Sequence, residues 1–120
     1  ASIVAKASAS CETEWFTTAP VDAIQKLLTK TKLKTSVNDL WEINESFSVA
    51  MVATLKELKL DPKKVNVNGG AVALGHPIGA SGARVLVTLL HALEQAGKQV
   101  GLASLCLGGG NAVAMIVERI

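Results

Sequence analysis

All ten glycines of this chain lie between Gly69 and Gly110, and the first 68 residues contain none. Eight of the ten stand in two clusters, one from Gly69 to Gly82 and one from Gly108 to Gly110. Glycine lets a backbone turn through positive φ or pass close to another chain or a ligand. Each cluster follows a short expected strand, residues 65–68 in one case and the nearly all-apolar residues 100–107 in the other. A chain punctuated this way is expected to fold as strands that end in tight, glycine-lined loops.

The rest of the chain alternates strand and helix signals. Residues 3–8 place Ile3, Ala5 and Ala7 on one side and Val4, Lys6 and Ser8 on the other, as a strand does. Residues 15–19 read as a loop. Pro20 then suits the first turn of a helix, Asp22 complements its N-terminus, and Ile24, Leu27 and Leu28 give it an apolar stripe. Lys30, Lys32 and Lys34 close it. Residues 39–43 read as a short buried strand, and 47–58 as a second helix with Phe47, Met51, Leu55 and Leu58 in register. Asp61-Pro62 stops that helix. Residues 65–68 read as a third strand. Ser81 is a candidate cap for a third helix, which carries Val85, Leu86, Leu89, Leu90 and Leu93 and ends at Gly97. Residues 100–107 are nearly all apolar, which fits a strand covered on both faces. Residues 112–117 form the last strand, antiparallel because only a tight turn separates it from its predecessor. The order β-α-β-α-β-α-β-β implies an α/β fold: a five-stranded, mostly parallel mixed sheet with helices on both faces.

Composition narrows the classes. The 120 residues make one domain, and no linker or repeat divides them. Apolar residues are 49% and charged residues 18%, which excludes a disordered chain. The aromatics are Trp15, Phe16, Trp41 and Phe47 only, so the core must be aliphatic. A net charge of +2 without a basic stripe argues against nucleic acid. No apolar run reaches the ~18 residues of a membrane span, and no secretory h-region is present. Cys11 and Cys106 suggest no disulfide framework, which favours a reducing compartment. The chain begins with Ala1, and is expected to be a processed product or a piece of a longer protein.

Three clusters carry chemistry, each at the end of an expected strand, where open α/β sheets bind ligands. In Asn44-Glu45-Ser46-Phe47, Asn44 can fix a water or a carbonyl beside the apolar wall of Phe47; alternatively Asn44 or Ser46 merely caps the helix. In the segment from Asn68 to Gly82, His76 sits on a constrained glycine loop stiffened by Pro77, a setting for acid–base work. The alternative is a tight connection whose histidine binds a carbonyl. In Cys106-Leu107-Gly108-Gly109-Gly110, backbone N–H groups near the sulfur can stabilise a thiolate or an oxyanion; alternatively Cys106 is a small buried hydrophobe before a hairpin. Neither the P-loop nor the dinucleotide fingerprint is present, because the glycines have the wrong spacing. Cys11 reads as incidental, His91 as a surface or boundary residue, and the lysines as solvated faces. No pair of Cys or His residues has metal-ligand spacing, so no metal is expected.

Taken together, Asn44-Glu-Ser-Phe, the segment NVNGGAVALGHPIGASGAR around His76 and the segment GLASLCLGGG around Cys106 closely resemble the C-terminal half of thiolases. Within that family the acetyl-CoA acetyltransferases match best, and the resemblance covers essentially the whole chain. It implies acyl transfer between coenzyme A thioesters, by Claisen condensation or its reverse, thiolysis. It implies coenzyme A and acyl-CoA as substrates and no permanently bound cofactor. Cys106 matches the family's acid/base cysteine, and His76 the residue that activates the nucleophile and helps hold the thioester oxygen. Asn44 matches the residue that holds a water in that oxyanion hole, and the Gly108 N–H a donor to the acyl-enzyme oxyanion. Ser46 and Phe47 match positions along the pantetheine path.

The chain also departs from the family pattern. The nucleophile motif, Cys-x-Ser in the family's N-terminal half, is absent; Cys11 is followed by Glu12 and Thr13. The family more often reads Asn-Glu-Ala-Phe-Ala where this chain has Ser46 and Ser48, and often has glycine where Ala112 stands. The resemblance therefore implies a partner, the N-terminal thiolase domain, which also carries most of the coenzyme A contacts. It further implies a homo-oligomer, dimer or tetramer, and a cytoplasmic or mitochondrial location. The chain alone is expected to be inactive. A non-catalytic acyl-CoA-binding or assembly subunit is the alternative, and a phosphate-binding α/β domain a more distant one.

Overall fold

The computed structural model describes residues 1–120. Four strands form one sheet: β1 (Ser2–Ser10), β2 (Leu40–Ile43), β3 (Val100–Leu107) and β4 (Asn111–Glu118). Four α-helices accompany them: α1 (Ala19–Thr31), α2 (Ser48–Leu58), α3 (Ala71–Leu74) and α4 (Ser81–Gln95). The strand order is β1-β4-β3-β2. No helix is long and apolar enough to cross a membrane.

Helices cover both faces of the sheet, as expected. On one face Ile24 and Leu27 of α1 pack with Trp41, Met51, Leu58, Leu102 and Ile116, and the small Ala112 and Ala114 admit the helix closely. On the other face Val85, Leu89 and Leu93 of α4 pack with Leu40, Ala103 and Val117. Leu102 and Ala103 thus serve opposite cores, which is why residues 100–107 read as an uninterrupted apolar run. Full burial of each large aliphatic side chain contributes roughly 1.5–3 kcal/mol.

The sheet differs from the expected one in two ways. It has four strands, not five, and only β2–β3 is parallel; β1–β4 and β3–β4 are antiparallel. The hairpin turn places β4 beside β3, and β1 then takes the free edge of β4. The expected strand at 65–68 makes a single bridge, Val65 with Trp41. Asn66 interrupts it. Its backbone is left-handed at φ 49°, and its side-chain amide takes the place of a strand ladder. Asn66 Nδ2 donates to the Ile43 carbonyl and Asn66 Oδ1 accepts from the Ile43 N–H, both at 2.8 Å. The chain then leaves the sheet into the glycine loop, which contains the short helix α3.

Two glycines are required by close approach. A Cβ on Gly110 would strike the Cys11 carbonyl oxygen, and φ there is +87°. Cys11 is therefore part of the hairpin's support: its N–H donates to the Gly110 carbonyl at 2.8 Å. A Cβ on Gly70 would strike the Glu45 carboxylate, which accepts from the Val72 N–H. Lys26 and Lys30 are also more than a solvated face, since both donate to carbonyls of the β1 edge, those of Ser8 and Lys6.

Asp39 ties the start of β2 to β3. Its carboxylate accepts from the Gln99 and Val100 N–H groups at 3.0 and 3.1 Å. The Val100 bond, more than the opposing desolvation, holds the Asp39 carboxyl below its ordinary value of 3.8. A lowered carboxylate contributes stability above its unfolded value and loses it as pH falls through the lower folded value. Asp39→Asn is therefore expected to cost about 1 kcal/mol at pH 7, and the gap is expected to narrow as pH falls below 3.8. Urea unfolding of both proteins across that range measures it.

Candidate active site

The parallel pair β2–β3 ends at one edge of the sheet, and all three sequence clusters meet there. The Asn44 N–H donates to the Ser104 carbonyl at 2.9 Å, which extends the ladder one residue past β2. Asn44 is thereby fixed beside the end of β3, where Cys106 sits, 9% exposed. The glycine loop returns over the same edge and delivers His76.

His76 is oriented from behind. Ser81 Oγ donates to the Pro77 carbonyl at 3.0 Å and lies 2.6 Å from His76 Nδ1. A hydroxyl has one proton to give, so this network makes Nδ1–H the donor to Ser81. The Nε2 lone pair then faces the site, in the tautomer that accepts a proton. Asn44 Nδ2 approaches Nε2 at 3.5 Å. Asn44 is oriented in turn by Arg84, whose Nη2 donates to Asn44 Oδ1 at 3.4 Å. That contact fixes which end of the amide faces His76.

Arg84 is anchored on Glu42, with Nη1 to Oε1 at 2.6 Å. The Glu42 side chain is 1% exposed. Burial pushes its carboxyl above the usual range, and the hydrogen bond and charge of Arg84 oppose that push. Removing one partner of a buried pair leaves an uncompensated charge, so the pair is a stiff support for Asn44.

A cavity of about 430 Å³ opens at this edge, lined by Ser46, Phe47, His76, Cys106 and Gly108, with Phe16 and Ile78. Phe16 and Phe47 meet edge to face, their ring centroids 6.4 Å apart. Ser46 Oγ lies 2.6 Å from Cys106 Sγ. A larger cavity of about 620 Å³ lies elsewhere, between Lys6 and Ser8 of β1, Leu86 of α4 and Met115 of β4. It brings together lysines and apolar surface, whereas the candidate thiol and imidazole line the smaller cavity.

The structure therefore brings together Asn44, Ser46, Phe47, His76, Cys106 and Gly108. Neither Asn44 nor Ser46 caps α2: Phe47 stands at that position, without a side-chain bond. Nor is Ser81 a helix cap. Ala80 is the cap residue of α4, and the Ser81 hydroxyl serves His76. The sequence reading missed Glu42 and Arg84. Their signal was a charged residue inside a buried strand and a lone arginine early in an apolar helix, each explained only by the other.

The model of the thiolase C-terminal domain matches residues 1–119. Bovine mitochondrial acetyl-CoA acetyltransferase is 51% identical over 120 residues, covering all of this chain and 28% of that protein. The crystal structure of the Bacillus anthracis acetyl-CoA acetyltransferase superposes with a TM-score of 0.96 at 46% identity, over 98% of this chain and 30% of that one. The Acat5 thiolase from Ascaris suum, solved in complex with coenzyme A, gives a TM-score of 0.93 at 51% identity with the same coverages. The chain thus spans less than a third of the length of these relatives. A match over nearly every residue, at half identity and with the same fold, places the chain in the thiolase family, as its C-terminal domain.

Proposed function

We propose that this chain is the C-terminal catalytic half of a thiolase that transfers acetyl groups between coenzyme A thioesters. The observation that carries the reading is the meeting of Cys106 and His76 at one cavity, with Asn44 Nδ2 3.5 Å from His76 Nε2 behind its wall. An N-terminal domain supplies the nucleophilic cysteine and most of the coenzyme A contacts, and the complete protein is a homo-oligomer. Coenzyme A and its acyl thioesters act as substrates. The bovine relative carries a mitochondrial designation, and the reading suits either that compartment or the cytoplasm.

The steps follow from the chemistry of the groups. The neutral His76 takes the proton of the nucleophilic thiol at Nε2, and the thiolate attacks the thioester carbonyl, expelling coenzyme A thiolate. The protonated Nε2–H, with a water held by Asn44, then faces the oxygen of a second acetyl thioester. Cys106, ionised once its thiol proton has passed to the departed coenzyme A thiolate, removes that substrate's methyl proton; the C–H electrons form an enolate, and the proton ends on sulfur. The enolate carbon attacks the acyl-enzyme carbonyl, whose oxygen meets the Gly108 N–H. The new C–C bond forms, the C–S bond to the nucleophile breaks, and the released thiolate takes its proton back from His76 Nε2. Each aimed donor of this kind is worth about 3–4 kcal/mol in comparable oxyanion holes. A thiol is a workable base because its ordinary value of about 8.5 lies near physiological pH.

The test compares thiolysis of acetoacetyl-CoA by the 120-residue chain and by the complete protein that contains it. Only the complete protein is expected to turn over. Thiolysis by the chain alone would remove the need for a second cysteine. If the complete protein bound acyl-CoA without turnover, and tolerated Cys106→Ala, the binding-subunit reading would replace this one.

A further inference from the structure

We propose that Ser46 is a positioning residue for Cys106, holding its sulfur and donating to it when it is ionised. The inference rests on the reading above for the role of Cys106 and on geometry for the role of Ser46. Ser46 Oγ and Cys106 Sγ are 2.6 Å apart, 60 residues apart in the chain. Neither atom has another side-chain or backbone hydrogen-bond partner in the structure. The hydroxyl is free for this task, because the start of α2 is uncapped by any side chain.

Cys106 lies near the end of β3, where its backbone is paired with Ala112 of β4, two residues past the last β2 partner, Ser104. Its side chain can still rotate about χ1, and a base must present its sulfur along one direction. A hydrogen bond to a residue on the neighbouring β2–α2 turn selects one rotamer. The same bond is charge-assisted once the sulfur is a thiolate, and such bonds are roughly twice as strong as neutral ones. Ser46 therefore favours the ionised base and aims it. In the acyl-CoA channel it is adjacent to Phe47, so a purely lining role makes a different prediction.

The experiment uses the complete protein. Iodoacetamide alkylation of Cys106 is followed by peptide mass across pH for wild type, Ser46→Ala and Ser46→Thr. The Ser46→Ala curve is expected to move to higher pH by about one unit, the size of a charge-assisted hydrogen bond. Ser46→Thr keeps the hydroxyl and is expected to restore the wild-type curve. Loss of one half-buried hydroxyl leaves little void, and far-ultraviolet circular dichroism checks that the fold is kept. An unmoved Ser46→Ala curve, with only the KM for acyl-CoA raised, would overturn the inference and leave Ser46 as channel wall. The alkylation readout needs no turnover. A moved curve in a protein without thiolysis would count against the thiolase reading alone; an unmoved curve in an active thiolase would count against Ser46 alone.

Discussion

Cys106→Ser in the complete protein is expected to reduce condensation and thiolysis by about 10²–10⁴-fold, the range of a lost general acid–base group. A serine hydroxyl occupies nearly the same volume but is far too weak an acid to serve as the base near neutral pH. Acylation of the other cysteine is expected to persist, because in the proposed mechanism the attack is started by His76 and coenzyme A can leave as the thiolate and take its proton from solvent. Intact-mass measurement after acetyl-CoA treatment should therefore show one acetyl group retained on a protein that no longer makes acetoacetyl-CoA. If acylation disappeared together with condensation, Cys106 would belong to the first half-reaction instead. Cys106 is 9% exposed, and because the substitution is nearly isosteric the fold is expected to be kept.

His76→Ala is expected to strike the earlier step. In the proposed mechanism it removes the proton acceptor at Nε2 and one donor to the thioester oxygen together. The acylation rate should fall by about 10²–10³-fold or more, read by the same acetyl mass gain followed in time. His76 is exposed on its loop, so stability should change little. Ser81 and the Pro77 carbonyl would remain in place behind the gap. Acylation at the wild-type rate would remove His76 from nucleophile activation and leave only an oxyanion role.

Much of the fold was legible because its signals are local. The two-residue alternation of β1, the proline and aspartate that open α1, and the aliphatic stripe of α4 all act within a few residues. The three chemical clusters were legible for the same reason: glycine, proline and a lone reactive side chain mark a constrained loop wherever it lies. The misreadings arose where a nonlocal partner decides. Val65–Val67 has strand composition, yet Asn66 gives its side-chain amide to Ile43, 23 residues away, and ends the ladder. Ser81 looks like a cap until His76 folds back onto it.

By itself the sequence determined the alternation of elements, the aliphatic core and the residue types available at each strand end, since propensity and periodicity act along the chain. Only the tertiary structure decided the strand order β1-β4-β3-β2, and with it the neighbours of every reactive group. Asn44 meets His76 across 32 residues, Arg84 meets Glu42 across 42, and Ser46 meets Cys106 across 60. These pairings depend on strand register and on where a loop returns to the sheet. Both are settled by burying two apolar faces at once, which no local stretch of sequence encodes.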